Sequence, residues 1–196
     1  PGKDEEGVYQ IGTAAELAWF RSHVNNTAGC ESGAVLTADI DLGDHNWKPI
    51  STQLGIAAMY KGTFDGQFHT ISGLSVNGTT YQGLFGSIYG ATIKNLLVEG
   101  SVRGSGNYVG GIVGSTRNAT IENCSFSGKV ETINGYIGGI TGGNPNGGAS
   151  TIRACVNNAT VIGGTAGGII GYSTQANSIK DCYNTGSING STRSGG

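Results

Sequence analysis

The chain has 196 residues and a net charge of −2, with 37 % hydrophobic and 12 % charged residues, and 37 glycines against 3 prolines. Glycine at about 19 % is more than twice its usual share, yet Gly plus Pro stays below the range of low-complexity disorder, so a packed core is within reach. The charge gives no footprint for nucleic acid or an acidic membrane face, and no apolar run approaches the ~18 residues of a membrane span.

The sequence opens at Pro1 and closes on Ser194-Gly195-Gly196, and both ends are expected to be cuts in something longer. Thr13-Ala14-Ala15-Glu16 has the spacing of a capping box, and Leu17, Phe20 and Val24 follow at helical intervals, which predicts a helix over 13–26. Ala34 to Leu42 alternates apolar and polar residues, as an entry strand would. Gly62-Thr63-Phe64-Asp65-Gly66 and Thr70-Ile71-Ser72-Gly73-Leu74 then read as a first, short coil, with Ile71 taken as the counterpart of Ile93.

From there the chain repeats. Gly-x-x-Gly blocks begin at Gly83, Gly111, Gly139 and Gly168, and each is followed by a second block: Thr92-Ile93-Lys94-Asn95-Leu96, Thr120-Ile121-Glu122-Asn123-Cys124, Thr151-Ile152-Arg153-Ala154-Cys155 and Ser178-Ile179-Lys180-Asp181-Cys182. A β-branched residue comes six positions later each time, at Val102, Val130, Val161 and Ile188. Short apolar segments punctuated by Gly and Asn are strand chemistry, and a fixed period near 28 residues means a stacked array. A propeller blade needs ~40–45 residues, and the leucine-rich frame and the Asp of calcium-binding nonapeptides are missing. The expectation is all-β: a right-handed parallel β-helix of about six coils with a short N-terminal capping helix. Residues 1–35 form the lead-in and lid, and residues 36–196 form the β-helix. The third repeat gains Asn144-Pro145-Asn146-Gly147-Gly148, a corner composition. The glycine blocks are expected where the chain bends tightly or needs φ > 0. A solenoid must cover its terminal coil, and only the N-terminus has a lid, so the array is expected to continue beyond the C-terminus.

The Gly83-Leu84-Phe85-Gly86 and Gly110-Gly111-Ile112-Val113-Gly114 blocks resemble the GLUG motif of bacterial cell-surface proteins. The lead-in resembles the segment that precedes such repeats: Tyr9-Gln10-Ile11, Glu16-Leu17, Phe20, then Ala38-Asp39-Ile40-Asp41-Leu42, Trp47-Lys48-Pro49-Ile50 and Gly62-Thr63-Phe64-Asp65-Gly66. Such repeats occur in large secreted or wall-anchored adhesin-like proteins and in the non-catalytic part of immunoglobulin A1 metalloproteases. The resemblance implies an extracellular or surface-attached bacterial module and no particular ligand.

Four groups of side chains are candidates for chemistry. Cys124, Cys155 and Cys182 share the column in which Leu96 stands, so they read as inward core residues. Stacked thiols, one disulfide between neighbouring coils and a metal site all remain open, and Cys30 has no visible partner. Lys94, Glu122, Arg153 and Lys180 occupy the position after the inward Ile and should face solvent. They can pair across rungs, or present a stripe to an acidic glycan. Asp39, Asp41 and Asp65 allow structural, calcium-binding or glycan-cleaving readings, the last requiring two facing carboxylates. His23, His45 and His69 lack ligand spacing, and no His-Glu-x-x-His is present. The Asn-x-Ser/Thr triplets follow from composition, and the hydroxyl column Thr92, Thr120, Thr151 and Ser178 leaves an ice-binding array as an outside reading.

These residues predict a non-enzymatic surface module without cofactor or metal, monomeric, with no nucleic-acid or membrane partner. It would space, display or adhere, with a host glycan or host surface protein as partner and the remainder of a larger surface protein beyond it. The alternative is a carbohydrate-binding or polysaccharide-degrading, lyase-type β-helix.

Overall fold

Strands of two to thirteen residues recur because each repeat offers short apolar stretches bounded by residues that break the pleat. A computed structural model describes residues 1–196 except 53, 54 and 146, so Asn146 of the corner insertion lies outside the described residues. The chain winds as a right-handed parallel β-helix of about seven turns. Every ladder between its strands is parallel. One face is a four-stranded sheet of Phe85–Tyr89, Val113–Arg117, Thr141–Asn144 and Ile170–Ser173; the other strands form a second sheet that bends round the coil.

The register stacks like on like. Phe64, Ile93, Ile121, Ile152 and Ile179 form one inward column, and Val76, Val102, Val130, Val161 and Ile188 another. A third begins with Ile71, Val98 and Phe126 and then turns polar at Asn157 and Asn184. Asn157 is fully buried, and its Nδ2 donates to Asn184 Oδ1 at 2.7 Å. Strand side chains alternate with period two, so Ile93 and Leu96 could not both point inward on one straight strand. The residue before the Leu or Cys resolves this by entering the left-handed region: Asn95 (φ 51°), Asn123 (51°), Ala154 (50°) and Asp181 (53°). Asn and Asp accept that conformation more readily than Ala.

Two sequence expectations need correction. Thr63-Phe64-Asp65 lies opposite Thr92-Ile93-Lys94, whereas Thr70-Ile71 lies opposite Leu97-Val98, so the first coil is displaced from the alignment of Ile71 with Ile93. A register shift between Ile71 and Leu74 then restores Val76 to Val102. The glycines of the Gly-x-x-Gly blocks do not have φ > 0. They are needed because backbones touch there: a Cβ on Gly142 would lie 2.3 Å from the backbone of Tyr108 and Val109, and one on Gly114 2.5 Å from Tyr81.

The helix spans Ala14–Asn26, as its cap predicts. Glu16 N–H donates to Thr13 Oγ1 (3.2 Å), and the Glu16 carboxylate accepts from Gly12 N–H (2.9 Å). Leu17, Phe20 and Val24 are buried, and the Phe20 ring sits 6.1 and 6.0 Å from Tyr60 and Phe64. The helix therefore closes the first coil with an aromatic plug. Its flank is tied in by Tyr9–Ile11, which pairs with Ala34–Leu36. At the other end Ile179 is 44 % exposed, so the isoleucine column ends uncovered in this chain.

Candidate functional site

The outward residues between the inward Ile and the Leu/Cys position build a continuous ladder. Asp65, Lys94, Glu122, Arg153 and Lys180 are in register on successive coils, so the predicted charged column gains Asp65 as its first member. Lys94 Nζ pairs with Asp65 Oδ2 at 3.2 Å, and Arg153 pairs with Glu122. Lys180 and the adjacent Asp181 are exposed at the last rung. Beside this column runs an amide ladder: Asn123 Nδ2 donates to Asn95 Oδ1 (3.0 Å), and Asn95 Nδ2 donates to Asp65 Oδ1 (3.0 Å). Partial burial of Asp65 works to raise its pKa. The Gln67 N–H, the Asn95 amide and the Lys94 ammonium outweigh it and hold the carboxyl below its ordinary value.

Of the other two candidate aspartates, Asp39 ties neighbouring coils and Asp41 serves a turn. Asp39 Oδ1 accepts from Thr70 N–H (2.9 Å) and lies 3.0 Å from His69 Nδ1, and both contacts lower its pKa, the backbone one more. Asp41 Oδ1 accepts from Gly43 N–H at 2.8 Å. Among the described residues no group of three or more His, Cys, Asp or Glu is placed to hold a metal ion.

The cysteines are four free thiols. Cys124, Cys155 and Cys182 each donate to the carbonyl two residues earlier, at 3.1, 3.2 and 3.2 Å. Burial pushes the Cys124 thiol up, and burial also raises Cys182. The column is not inward throughout: Cys124 and Cys155 are buried, whereas Cys182, on the terminal coil, is half-buried; Cys30, outside the column, is buried as well.

The next outward position carries a feature outside the repeat blocks. Leu97, Ser125, Val156 and Tyr183 are in register, Thr70 stands in register above Leu97, and Phe68, in the turn just before Thr70, lines the groove at that end. Phe68, Leu97, Asn123, Ser125, Ala154 and Val156 line a shallow groove of about 340 Å³. Phe68 and Tyr183, at the two ends of the row, are 65 % and 66 % exposed. Phe68 also has φ 62° and follows Gln67 at φ 49°, in a tight turn closed by His69 N–H donating to Gly66 O at 2.7 Å. Two consecutive positive φ values belong to a type I′ turn, where Asn-Gly is the strain-free pair. A bulky residue there costs on the order of 1–3 kcal/mol. The ring recovers little of this by burial.

A second aromatic row lies on another face. Tyr81, Tyr108, Tyr136 and Tyr172 stack with centroids 5.4, 5.4 and 4.1 Å apart in turn. Here the rings pack against one another, the outer pairs stacked and the Tyr108–Tyr136 pair tilted, so packing accounts for them. The spacing of 27 and 28 residues between the first three carries a sequence signal for this row. Tyr172 joins from a different strand, and no repeat spacing points to Phe68.

Comparison with known proteins agrees with this geometry. No curated protein matches the chain. A crystal structure described as a “putative immunoglobulin A1 protease” from Bacteroides ovatus superposes with a TM-score of 0.52 at 19 % identity, covering 95 % of this chain and 79 % of that one. At that identity the likeness is one of fold. Residues 105–131, which hold the Gly110-Gly111-Ile112-Val113-Gly114 corner and the ladder residue Glu122, match the GLUG motif, so the chain is a parallel β-solenoid that carries a GLUG repeat.

Proposed function

We propose that this chain is a non-enzymatic, extracellular module of a larger bacterial surface or secreted protein. It holds an outward face rigid and presents it to a host glycan or host surface protein. The observation that carries the reading is the ladder itself. Asp65 and Glu122 are each engaged by the cation of the next rung, so they serve contact and register rather than proton transfer. General acid–base cleavage of a glycan needs two carboxylates facing one another across the bond, one of them held protonated. The chain's perturbed carboxyls, Glu16, Asp39 and Asp65, are all shifted downward, the opposite direction.

The test is a glycan array and a host-protein adhesion assay run beside a depolymerisation screen on uronate polymers. Binding without turnover is expected. Release of unsaturated or reducing ends from a uronate polymer would overturn the reading in favour of a lyase-type module.

A further inference from the structure

Phe68 combines three properties that folding alone does not reward. It is a large aromatic, it is about two-thirds exposed, and it is held at positive φ in a turn that a glycine would satisfy without strain. Backbone strain of this kind persists where a side chain has to be aimed. The ring lines the groove together with Leu97 and Val156, and Tyr183, the other strongly exposed ring on this face, stands in register with Val156 one coil further on. From the coil of Phe68 to that of Tyr183 there are four steps, or roughly 19 Å at ~4.8 Å per coil.

The chemistry along the groove is that of a ligand with an apolar face and a polar rim. The floor is apolar except at Ser125, between Leu97 and Val156, and its flank carries the Asn95–Asn123 amides and the pairs Asp65–Lys94 and Glu122–Arg153. These pairs cancel, so the flank offers a polyanion no net attraction, while a hydroxyl can donate to the partly exposed Glu122 carboxylate and accept from Lys94 and Arg153. The apolar row is one side chain wide. A stable protein–protein contact buries ~1,200–2,000 Å² in all, far more than this row supplies. An extended peptide gains its affinity from main-chain bonds at a sheet edge. The strands of Leu97, Ser125 and Val156 already pair on both sides, and Tyr183–Asn184, paired on one side, leaves an edge only two residues long.

We propose that this face is the binding site for an uncharged saccharide chain lying parallel to the stacking axis. Its C–H faces rest on Phe68 and Tyr183, with Leu97 and Val156 between them, and its hydroxyls meet the ladder from Asp65 to Arg153. The proposal rests on the reading of the module as a glycan binder and narrows it from any glycan to a neutral one at a named face.

The experiment titrates cellohexaose, xylohexaose, N-acetylchitohexaose and hexagalacturonate into the ¹⁵N-labelled chain. Amide shifts and calorimetry are recorded at low and high salt. At least one neutral hexasaccharide is expected to shift the amides of residues 68, 97, 125, 156 and 183, with an affinity that salt leaves unchanged. Phe68→Gly is expected to weaken that binding at least tenfold without lowering the melting temperature, since it relieves the turn; Phe68→Trp is expected to retain it. Tyr183→Ala is expected to weaken binding from the other end. A Phe68→Gly chain that binds as the wild type does would overturn the proposal, as would tighter, salt-sensitive binding of hexagalacturonate. Shifts confined to another face would overturn this site while leaving the glycan-binding module standing. No shift with any of the four sugars, together with adhesion to a host protein, would overturn the site and the glycan reading together.

Discussion

Gly142 and Gly90 test which property of glycine the coil uses. A methyl group on Gly142 would sit 2.3 Å from the backbone carbon of Tyr108 and from Val109 N, atoms that cannot rotate away. Gly90 has φ +67° and nothing within 4 Å of the added carbon. Gly142→Ala must therefore push neighbouring coils away from each other, and we set it at about 3 kcal/mol, the upper end of the usual overpacking penalty. Gly90→Ala meets only the left-handed penalty of ~1–2 kcal/mol. The stiffer unfolded chain returns ~0.4–1 kcal/mol, leaving about 0.5–1 kcal/mol. For a domain of this size each kcal/mol moves the melting temperature by roughly 2–4 °C, so the expected losses are about 6–12 °C and about 1–4 °C. Thermal circular dichroism at the β-sheet band, with urea midpoints as a check on cooperativity, measures both. Asn in place of Ala separates the causes further: it should be near neutral at position 90 and no rescue at 142. A Gly142→Ala chain that melts within about 4 °C of wild type, or a reversed order, would refute the close-approach account.

The lid makes a separate prediction, because Leu17 is fully buried over the first coil: Leu17→Asp should expose that edge and give multimers in size-exclusion light scattering, and a monomer with unchanged melting would refute it. Asp65 has a depressed pKa in the fold, so its contribution is complete above the unfolded value of ~3.9 and disappears as pH falls through the lower folded value. Asp65→Asn should accordingly flatten the loss of stability below about pH 4. A thiol reagent on native protein should label Cys182 first, with Cys30, Cys124 and Cys155 reacting only in denaturant; equal native labelling of all four would force the strand registers to be reassigned.

The regions of the fold that were readable from sequence are those that recur. A column such as Ile93, Ile121, Ile152 and Ile179 is visible because the repeat lays the same residue at the same offset, and the helix start is visible because its cap is local chemistry. The first coil was misaligned for a physical reason: Phe64 fills the site that isoleucine fills elsewhere, and a register shift separates it from Val76. Gly62-Thr63-Phe64-Asp65-Gly66 looks like a corner although Thr63–Asp65 is a strand. The charged column was legible down to Lys94, and Asp65 was lost with that alignment. Cys30 is buried by packing that no repeat announces. Phe68 lies in a single turn, and its importance comes from exposure and φ, two quantities that sequence spacing does not encode.

The change from Phe126 to Asn157 and Asn184 inside the coil also bears on how such a chain folds. Repeats of 28 or 29 residues with near-identical strand blocks can stack in the wrong order, and apolar columns penalise this weakly because one aliphatic residue replaces another. An amide does not tolerate the exchange. If the coil of Asn157 were laid on a coil other than that of Asn184, its Nδ2 would face an apolar side chain, and an unmet buried donor costs ~1–3 kcal/mol. The asparagine pair therefore indexes the last coils, so that a growing stack counts its turns correctly.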